Sequence, residues 1–219
     1  MSRFQPRLDI LPPPQRQLWP ELSRVPAEFA LYGGTALALR LGHRTSIDFD
    51  FFSSTPFDAA ALQATLRWEA EAEVLQFQPN SLTVAIRRGE TVKVSLFGGL
   101  SFGRVGLLEF AGDSRVRVAS LLDLAATKLK AVQKRAESRD YVDLSHLMRS
   151  GVELAQALGA AQAIYGELFN PAISLKALSF FGDGDLPRLP EEAKQFLSQA
   201  AAAVREIPVI RRLSDKIAD

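Results

Sequence analysis

Two hydrophobic periodicities divide this chain and limit its fold class. Between Glu71 and Val118, β-branched and aromatic residues recur with period two. The runs are Glu73 to Gln78, Ser81 to Arg88, Thr91 to Phe97, Arg104 to Phe110 and Arg115 to Val118, the pattern of strands with one buried face. Gly89-Glu90 is a hairpin turn between two of them. After Ser120 the pattern becomes helical to the end, with Ser120-Leu-Leu-Asp123 resembling a capping box and Asn170-Pro171 an N-cap followed by proline. Strands and helices are therefore segregated, which predicts an α+β architecture: an α/β region over residues 1–118 and a helical region over 119–219 packed on it. The tail near Arg211-Arg212 reads as a frayed surface end.

The segment before the strands is mixed. Pro12-Pro13-Pro14 predicts a turn into a short helix. Phe29 to Tyr32 is a short strand, Gly33-Gly34 turns the chain, and Thr35 is placed to cap a helix from Ala36 to about Leu41. A second turn, Gly42-His43-Arg44, leads to Ser46-Ile-Asp-Phe-Asp-Phe-Phe-Ser53, and Pro56-Phe57-Asp58 opens a helix reaching about Trp68.

Asp48 and Asp50 are the chemically telling pair. On a strand they project to one face, while Ile47, Phe49 and Phe51 go to the other. Adjacent anions are costly unless a cation lies between them, and a glycine turn opening a helix offers backbone N–H groups and a positive dipole end to phosphate. The pair with Gly33, Gly34 and Thr35 therefore suggests metal-bound nucleotide chemistry. An exposed edge strand alternating acids with buried aromatics would give the same local pattern. His43 and Arg44 are loop residues within reach of such a phosphate, and Lys93 and Ser95 share one strand face that could look toward the site.

The helix from Ser120 carries a second clue. Leu121, Leu124, Ala125, Leu129 and Val132 form one stripe, and Lys128 and Arg135 fall inside it, with Lys130 and Lys134 on the opposite, solvated side. A cation on a core-facing stripe needs an anion, and the next helix, from about Ser138, offers Asp140 and Asp143 beside Tyr141, Leu144, Leu147 and Met148. Two readings fit: an interhelix salt bridge from Arg135 or Arg139 to Asp140 or Asp143, or a phosphate contact by Lys128 beside Asp48 and Asp50. His146 reads as structural and Asp183-Gly184-Asp185 as a turn.

Composition excludes several classes. The 26 basic and 25 acidic residues give a net charge of +1, so a nucleic-acid partner would need a local patch. No cysteine is present, which removes disulfides and thiolate catalysis. With 47% hydrophobic and 23% charged residues, no run of about 20 apolar residues and no apolar core of a signal peptide at the start, a folded cytoplasmic protein without membrane contact is expected.

The stretch from Gly33 to Phe52, followed by Lys128-Leu-Lys-Ala-Val-Gln-Lys-Arg-Ala-Glu-Ser-Arg-Asp-Tyr-Val-Asp-Leu144, resembles the AbiEii/AbiGii-type nucleotidyltransferase toxins of the DNA polymerase beta superfamily. The resemblance implies a mixed-sheet nucleotidyltransferase core followed by helices. It implies Mg²⁺ on Asp48 and Asp50, nucleotide contacts from Gly33, Gly34, Thr35, Arg44, Lys128 and Asp140, and catalysis by Asp48, Asp50 and Lys128. It further implies an NTP donor, an RNA acceptor, commonly tRNA, and an antitoxin partner. One departure stands out. The superfamily usually adds a third carboxylate from a later strand, and Thr91-Val-Lys-Val-Ser-Leu-Phe97 has Ser95 where the acid is expected; a neighbouring acid such as Glu109 would have to substitute. The chain is then either an enzyme or a nucleotide- or partner-binding protein of the same fold. Glycosyltransferases and aspartyl-phosphate phosphatases also use Asp-x-Asp, but usually at the end of an apolar strand, whereas Arg44-Thr45-Ser46 precede this one.

Overall fold

The computed structural model describes residues 2–68 and 72–219, so Glu71, the expected start of the strand pattern, lies outside the described residues. The chain divides into two compact units: Met1–Gly103 with Leu107–Ser120 and Ser214–Asp219, and Arg104–Gly106 with Leu121–Leu213.

The first unit is built on a mixed sheet of β1 (Arg3–Phe4), β2 (Ala30–Tyr32), β3 (Asp48–Phe52), β4 (Ala72–Gln78), β5 (Ser81–Arg88), β6 (Glu90–Phe97), β7 (Glu109–Ala111) and β8 (Arg117–Val118). The spatial order is β1-β7-β8-β2-β3-β6-β5-β4. β3 runs parallel to β6 and antiparallel to β2. The alternation in β3 is as the sequence dictates: Phe49 and Phe51 are buried, and Asp48 and Asp50 are half-buried on the opposite face. Each phenylalanine contributes about 1.5–3 kcal/mol of burial, which fixes the register, since a one-residue slip would drive the carboxylates into the core. Ile47 does not join this buried face. It precedes the strand and is 67% exposed.

Helix α1 (Pro13–Leu18) begins within the proline run, α2 (Gly33–Leu41) follows β2, and α3 (Ala59–Leu66) is capped by Asp58, which accepts from the Ala61 amide at 2.8 Å. α2 begins three residues earlier than expected, so Thr35 lies inside its first turn. Its C-terminus has the expected glycine: Gly42 at φ 64° donates its N–H to the Ala38 carbonyl. Arg40 ties α2 to the sheet. It donates to the Ala119 carbonyl at 2.9 Å, pairs with Glu109 at 2.8 Å and lies 4.2 Å over the Phe4 ring. The expected strand over Arg104 to Phe110 forms only at Glu109–Ala111. Arg211 and Arg212 lie on the surface as expected, but the residues after them are anchored: Ile217 and Ala218 are buried, the Ile217 amide donates to the Ser54 hydroxyl, and Arg117 donates to the Asp219 carbonyl.

The second unit is helical: α4 (Leu121–Ala131), α5 (Ser138–Arg149), α6 (Leu154–Tyr165), α7 (Pro171–Ala177) and α8 (Glu191–Ala203). The Asp123 carboxylate accepts from the Val105 and Gly106 amides at 2.8 and 3.0 Å, holding that short loop to α4. Asn170 caps α7 as its sequence predicts, accepting from the Ala172 amide. The Asp183-Gly184-Asp185 turn serves α5: Asp185 accepts from the Ser138 amide at 2.6 Å and the Ser138 hydroxyl at 2.7 Å. Those bonds, the hydroxyl's foremost, hold its carboxyl below the ordinary range. Among the described residues, no helix is long and apolar enough to cross a membrane.

Candidate active site

The acidic pair is presented by three adjoining strands. Tyr32 of β2 stands opposite Asp50, and on the other side Asp48 pairs with Lys93 and Asp50 with Ser95 of β6. Residues in register share a sheet face, so Asp48, Asp50, Lys93 and Ser95 belong to one surface. β5 extends it with Ala85 opposite Lys93 and Thr83 opposite Ser95. One end of this surface is aromatic: Phe52 stacks on Tyr32 at 5.1 Å and meets Phe97 and Phe102 edge-on at 5.8 and 6.2 Å.

The glycine turn closes over the pair from the end of β2. Gly33 has φ 72°, a conformation that L side chains adopt only under strain, and a Cβ there would lie 2.7 Å from Asp50 Oδ2. At Gly34 a Cβ would come within 2.7 Å of an Arg44 guanidinium nitrogen and 2.9 Å of Ser46 Oγ. The two glycines thus let backbone approach the carboxylate and the guanidinium more closely than any other residues would. Thr35 does not cap the helix. Its hydroxyl donates to the Asp48 carbonyl and lies 2.9 Å from Ser46 Oγ, which ties α2 to the start of β3. Ser46 was not singled out by the sequence, because a polar residue before a strand carries no signal until its neighbours are known. Arg44 also donates to the Thr45 carbonyl at 3.1 Å.

The charges here are accessible. Lys93 Nζ lies 3.0 Å from Asp48 Oδ2, with the two side chains 43% and 30% exposed. Ser95 sits beside Asp50 in the register but is only 4% exposed. Glu109 cannot replace the missing acid. β8 and β2 separate its strand from β3, three strand spacings or about 14 Å, and its carboxylate is held by Arg40.

This arrangement fits a divalent cation of the Mg²⁺ kind. Such an ion is commonly held by one or two carboxylates, with water and substrate phosphates filling its other positions. Asp48 and Asp50 supply the carboxylates, and the cradle at Gly33, which a Cβ would fill, leaves room at Asp50. Among the described residues no group of three or more acidic or histidine side chains could form an all-protein cage. Helix α2 starts at this point, and its first N–H groups and dipole favour a phosphate.

Lys128 and Asp140, in the second unit, form a different kind of centre. Lys128 Nζ lies 2.7 Å from Asp140 Oδ1 and 2.6 Å from Asp143 Oδ2; its side chain is 9% exposed and both carboxylates are fully buried. Arg135 Nε completes the network at 2.7 Å from Asp140 Oδ2. Burial works to raise the Asp140 carboxyl, but the bonds and charges of Arg135 and Lys128 outweigh it and leave it below the usual range. Burial, aided by the charges of Asp140 and Asp183, pushes the Tyr141 hydroxyl up to about 12. Lys130, expected on the solvated side, is half-buried; it donates to the Leu168 carbonyl and lies 5.9 Å over the Tyr165 ring. His146 has the expected structural setting, its Nδ1 lying 3.0 Å from the Val142 carbonyl.

Comparison with known proteins matches residues 21–213 to the family described as nucleotidyl transferase AbiEii toxin, type IV TA system. An uncharacterized protein of Aquifex aeolicus (strain VF5), aq_aa25, is 29% identical over 184 residues, which cover 78% of this chain and 85% of that protein. Among solved structures, the nucleotidyltransferase toxin MenT4 of Mycobacterium tuberculosis H37Rv is similar with a TM-score of 0.62 at 15% identity, covering 90% of this chain and 84% of that one. An antigenic nucleotidyltransferase-like protein of Paracoccidioides brasiliensis is similar with a TM-score of 0.51 at 18% identity, covering 81% and 85%. At such identities these structures establish a shared fold.

Proposed function

Since this chain belongs to the AbiEii nucleotidyl transferase toxin family, we propose that it is a metal-dependent nucleotidyltransferase moving a nucleoside monophosphate from an NTP to an acceptor hydroxyl, with RNA, tRNA in particular, as acceptor. The observation that carries this reading is the convergence of Asp48, Asp50, the Gly33-Gly34 turn and Arg44 at one end of β3. Asp48 and Asp50 would hold Mg²⁺, which when bound neutralises phosphate charge. Gly33, Gly34 and Thr35 offer helix-terminal N–H groups to the phosphate chain, and the Arg44 guanidinium adds a planar donor set suited to phosphate. In the transfer the acceptor hydroxyl oxygen bonds to the α-phosphorus, the bond from that phosphorus to the pyrophosphate oxygen breaks, and the hydroxyl proton passes to solvent; the protein's contribution is alignment and charge stabilisation. The family's description as a type IV system supports a paired antitoxin, and NTP and RNA as substrates assign the work to the cytoplasm.

Ser95 favours a second reading, a protein of the same fold that binds Mg²⁺-NTP with little turnover, because a buried hydroxyl stands beside Asp50 where a third carboxylate is expected. Incubating the protein with each labelled NTP, Mg²⁺ and total RNA separates the two. Labelled RNA with stoichiometric pyrophosphate release, lost in Asp48→Asn, supports the enzyme. Saturable Mg²⁺-NTP binding without either product supports the binding protein.

A further inference from the structure

The proposed metal site already contains a cation of its own. Lys93 is in register with Asp48, its ammonium lies 3.0 Å from the Asp48 carboxylate, and both groups are open to solvent. Two positions along the same strand, Ser95 stands beside Asp50. The two features act in one direction. A centre with three carboxylates presents three negative charges. Here Asp48 and Asp50 present two, the Lys93 ammonium lies against one of them, and the Arg44 guanidinium lies at the neighbouring glycine turn. A first divalent ion meets both carboxylates, whereas a second would enter a site already made positive by the first ion together with the ammonium and the guanidinium. Like charges a few ångströms apart repel strongly even near a protein surface.

We infer that Lys93 is a tethered cation standing in for one of two metal ions, so that the centre holds a single divalent ion. This rests on the metal reading above and deepens it. Lys93 is not a ligand to the ion. It occupies charge and space beside Asp48, and the Ser95 hydroxyl removes the carboxylate that a second ion would need. Losing the ammonium strengthens the first ion's binding, and restoring a carboxylate at Ser95 in the same protein recruits a second ion.

Equilibrium dialysis of the full chain against Mn²⁺ alone tests this without relying on turnover or on knowing the nucleotide. Wild type and Lys93→Arg should bind one Mn²⁺ per chain. Lys93→Met should bind it more tightly by on the order of tenfold, the effect of removing one nearby like charge, and Lys93→Met/Ser95→Asp should bind two. Thermal unfolding of each variant verifies folding. Lys93 is substantially exposed, so its substitution leaves the core intact. Two Mn²⁺ on the wild type, or unchanged number and affinity in Lys93→Met, would overturn the tethered-cation role while leaving the metal reading standing. No Mn²⁺ on wild type, Lys93→Met or the double variant would overturn the metal reading and the inference with it.

Discussion

The chain carries two charged centres of nearly the same composition and opposite physical character. In the first unit Lys93 lies against Asp48 on an accessible sheet surface, with Asp50 and Arg44 at the adjoining glycine turn. In the second unit Asp140 and Asp143 face Lys128 and Arg135, and the two carboxylates are fully buried. A charge left in water retains its hydration and can exchange it for a ligand, so an accessible acidic pair is available for binding. A charge withdrawn from water must be compensated within the protein at all times, so a buried network is committed to its own partners. The first centre should therefore be sensitive in function and tolerant in stability, and the second should be the reverse.

The sharpest break of that contrast would come from the acidic pair. Asp48→Asn or Asp50→Asn removes a ligand worth several kcal/mol of transition-state charge stabilisation, a loss on the order of 10³-fold in transfer. The unfolding free energy should move by no more than about 0.5 kcal/mol, as for other accessible substitutions. Single-turnover transfer and calorimetry with Mg²⁺ and nucleotide, run beside urea unfolding, measure these effects. Intact nucleotide-dependent metal binding would remove the pair from the site, and a large loss of stability would remove the distinction between the centres.

Lys128→Met gives the complementary expectation. It leaves the Asp140 and Asp143 carboxylates without the ammonium that bonds both, and breaking a buried pair from one side costs about 3–5 kcal/mol. A fall of that size in urea unfolding is expected. A variant of nearly normal stability that has lost nucleotide binding would instead make Lys128 chiefly a ligand contact. The same network sets a pH dependence. The Asp140 carboxyl is held below its ordinary value in the folded state, so its ionised form stabilises the fold above the unfolded carboxylate pKa of about 3.9. That contribution is lost as pH falls through the lower folded value. Stability measured downward from about pH 5 should fall more steeply in wild type than in Asp140→Asn, and parallel curves would assign the acid sensitivity to other groups.

The same contrast explains what was legible in the sequence. Period-two alternation of Phe49 and Phe51 against Asp48 and Asp50 fixed the site-bearing strand, because burial of two aromatics admits one register. The helical stripe containing Lys128, and the acids of the next helix, marked the second centre for a related reason: a cation among leucines demands an anion. Arg135, expected on the same stripe, lies beyond the end of α4 and is 46% exposed, yet it still reaches Asp140. Contacts between residues distant in sequence were less visible. Thr35 looked like a cap, yet its hydroxyl bonds the Asp48 carbonyl thirteen residues on, a choice made by where β3 runs. Lys130 was read as solvated, and its partners, Tyr165 and the Leu168 carbonyl, came into view only with α6 and the turn after it. Glu109 was a plausible replacement acid only while the strand order was unknown. The Arg211-Arg212 end gave no hint that Ile217 and Ala218 would be buried, since two apolar residues carry no periodicity.

The smallest expected effect concerns Ser95 and sharpens the comparison from inside the first centre. Its place opposite Asp50 in the β3–β6 register means that Ser95→Asp would set a third carboxylate on the acidic face, making this centre more negative while the second is untouched. Because Ser95 is nearly buried, that carboxylate is tolerated only if a cation meets it; without Mg²⁺ the variant should be less stable than wild type, and Mg²⁺ should recover the difference. With the ion bound, the added acid assists charge development in transfer more than it assists nucleotide binding, so a gain of roughly tenfold in rate with a nearly unchanged KM is expected, about 1.4 kcal/mol. Single-turnover transfer and Mg²⁺-dependent thermal unfolding report the two effects separately. A rate unchanged or lowered, with no recovery of stability by Mg²⁺, would mean that the Ser95 face is not part of the ion's surroundings. The accessible centre would then end at Asp50 and Lys93.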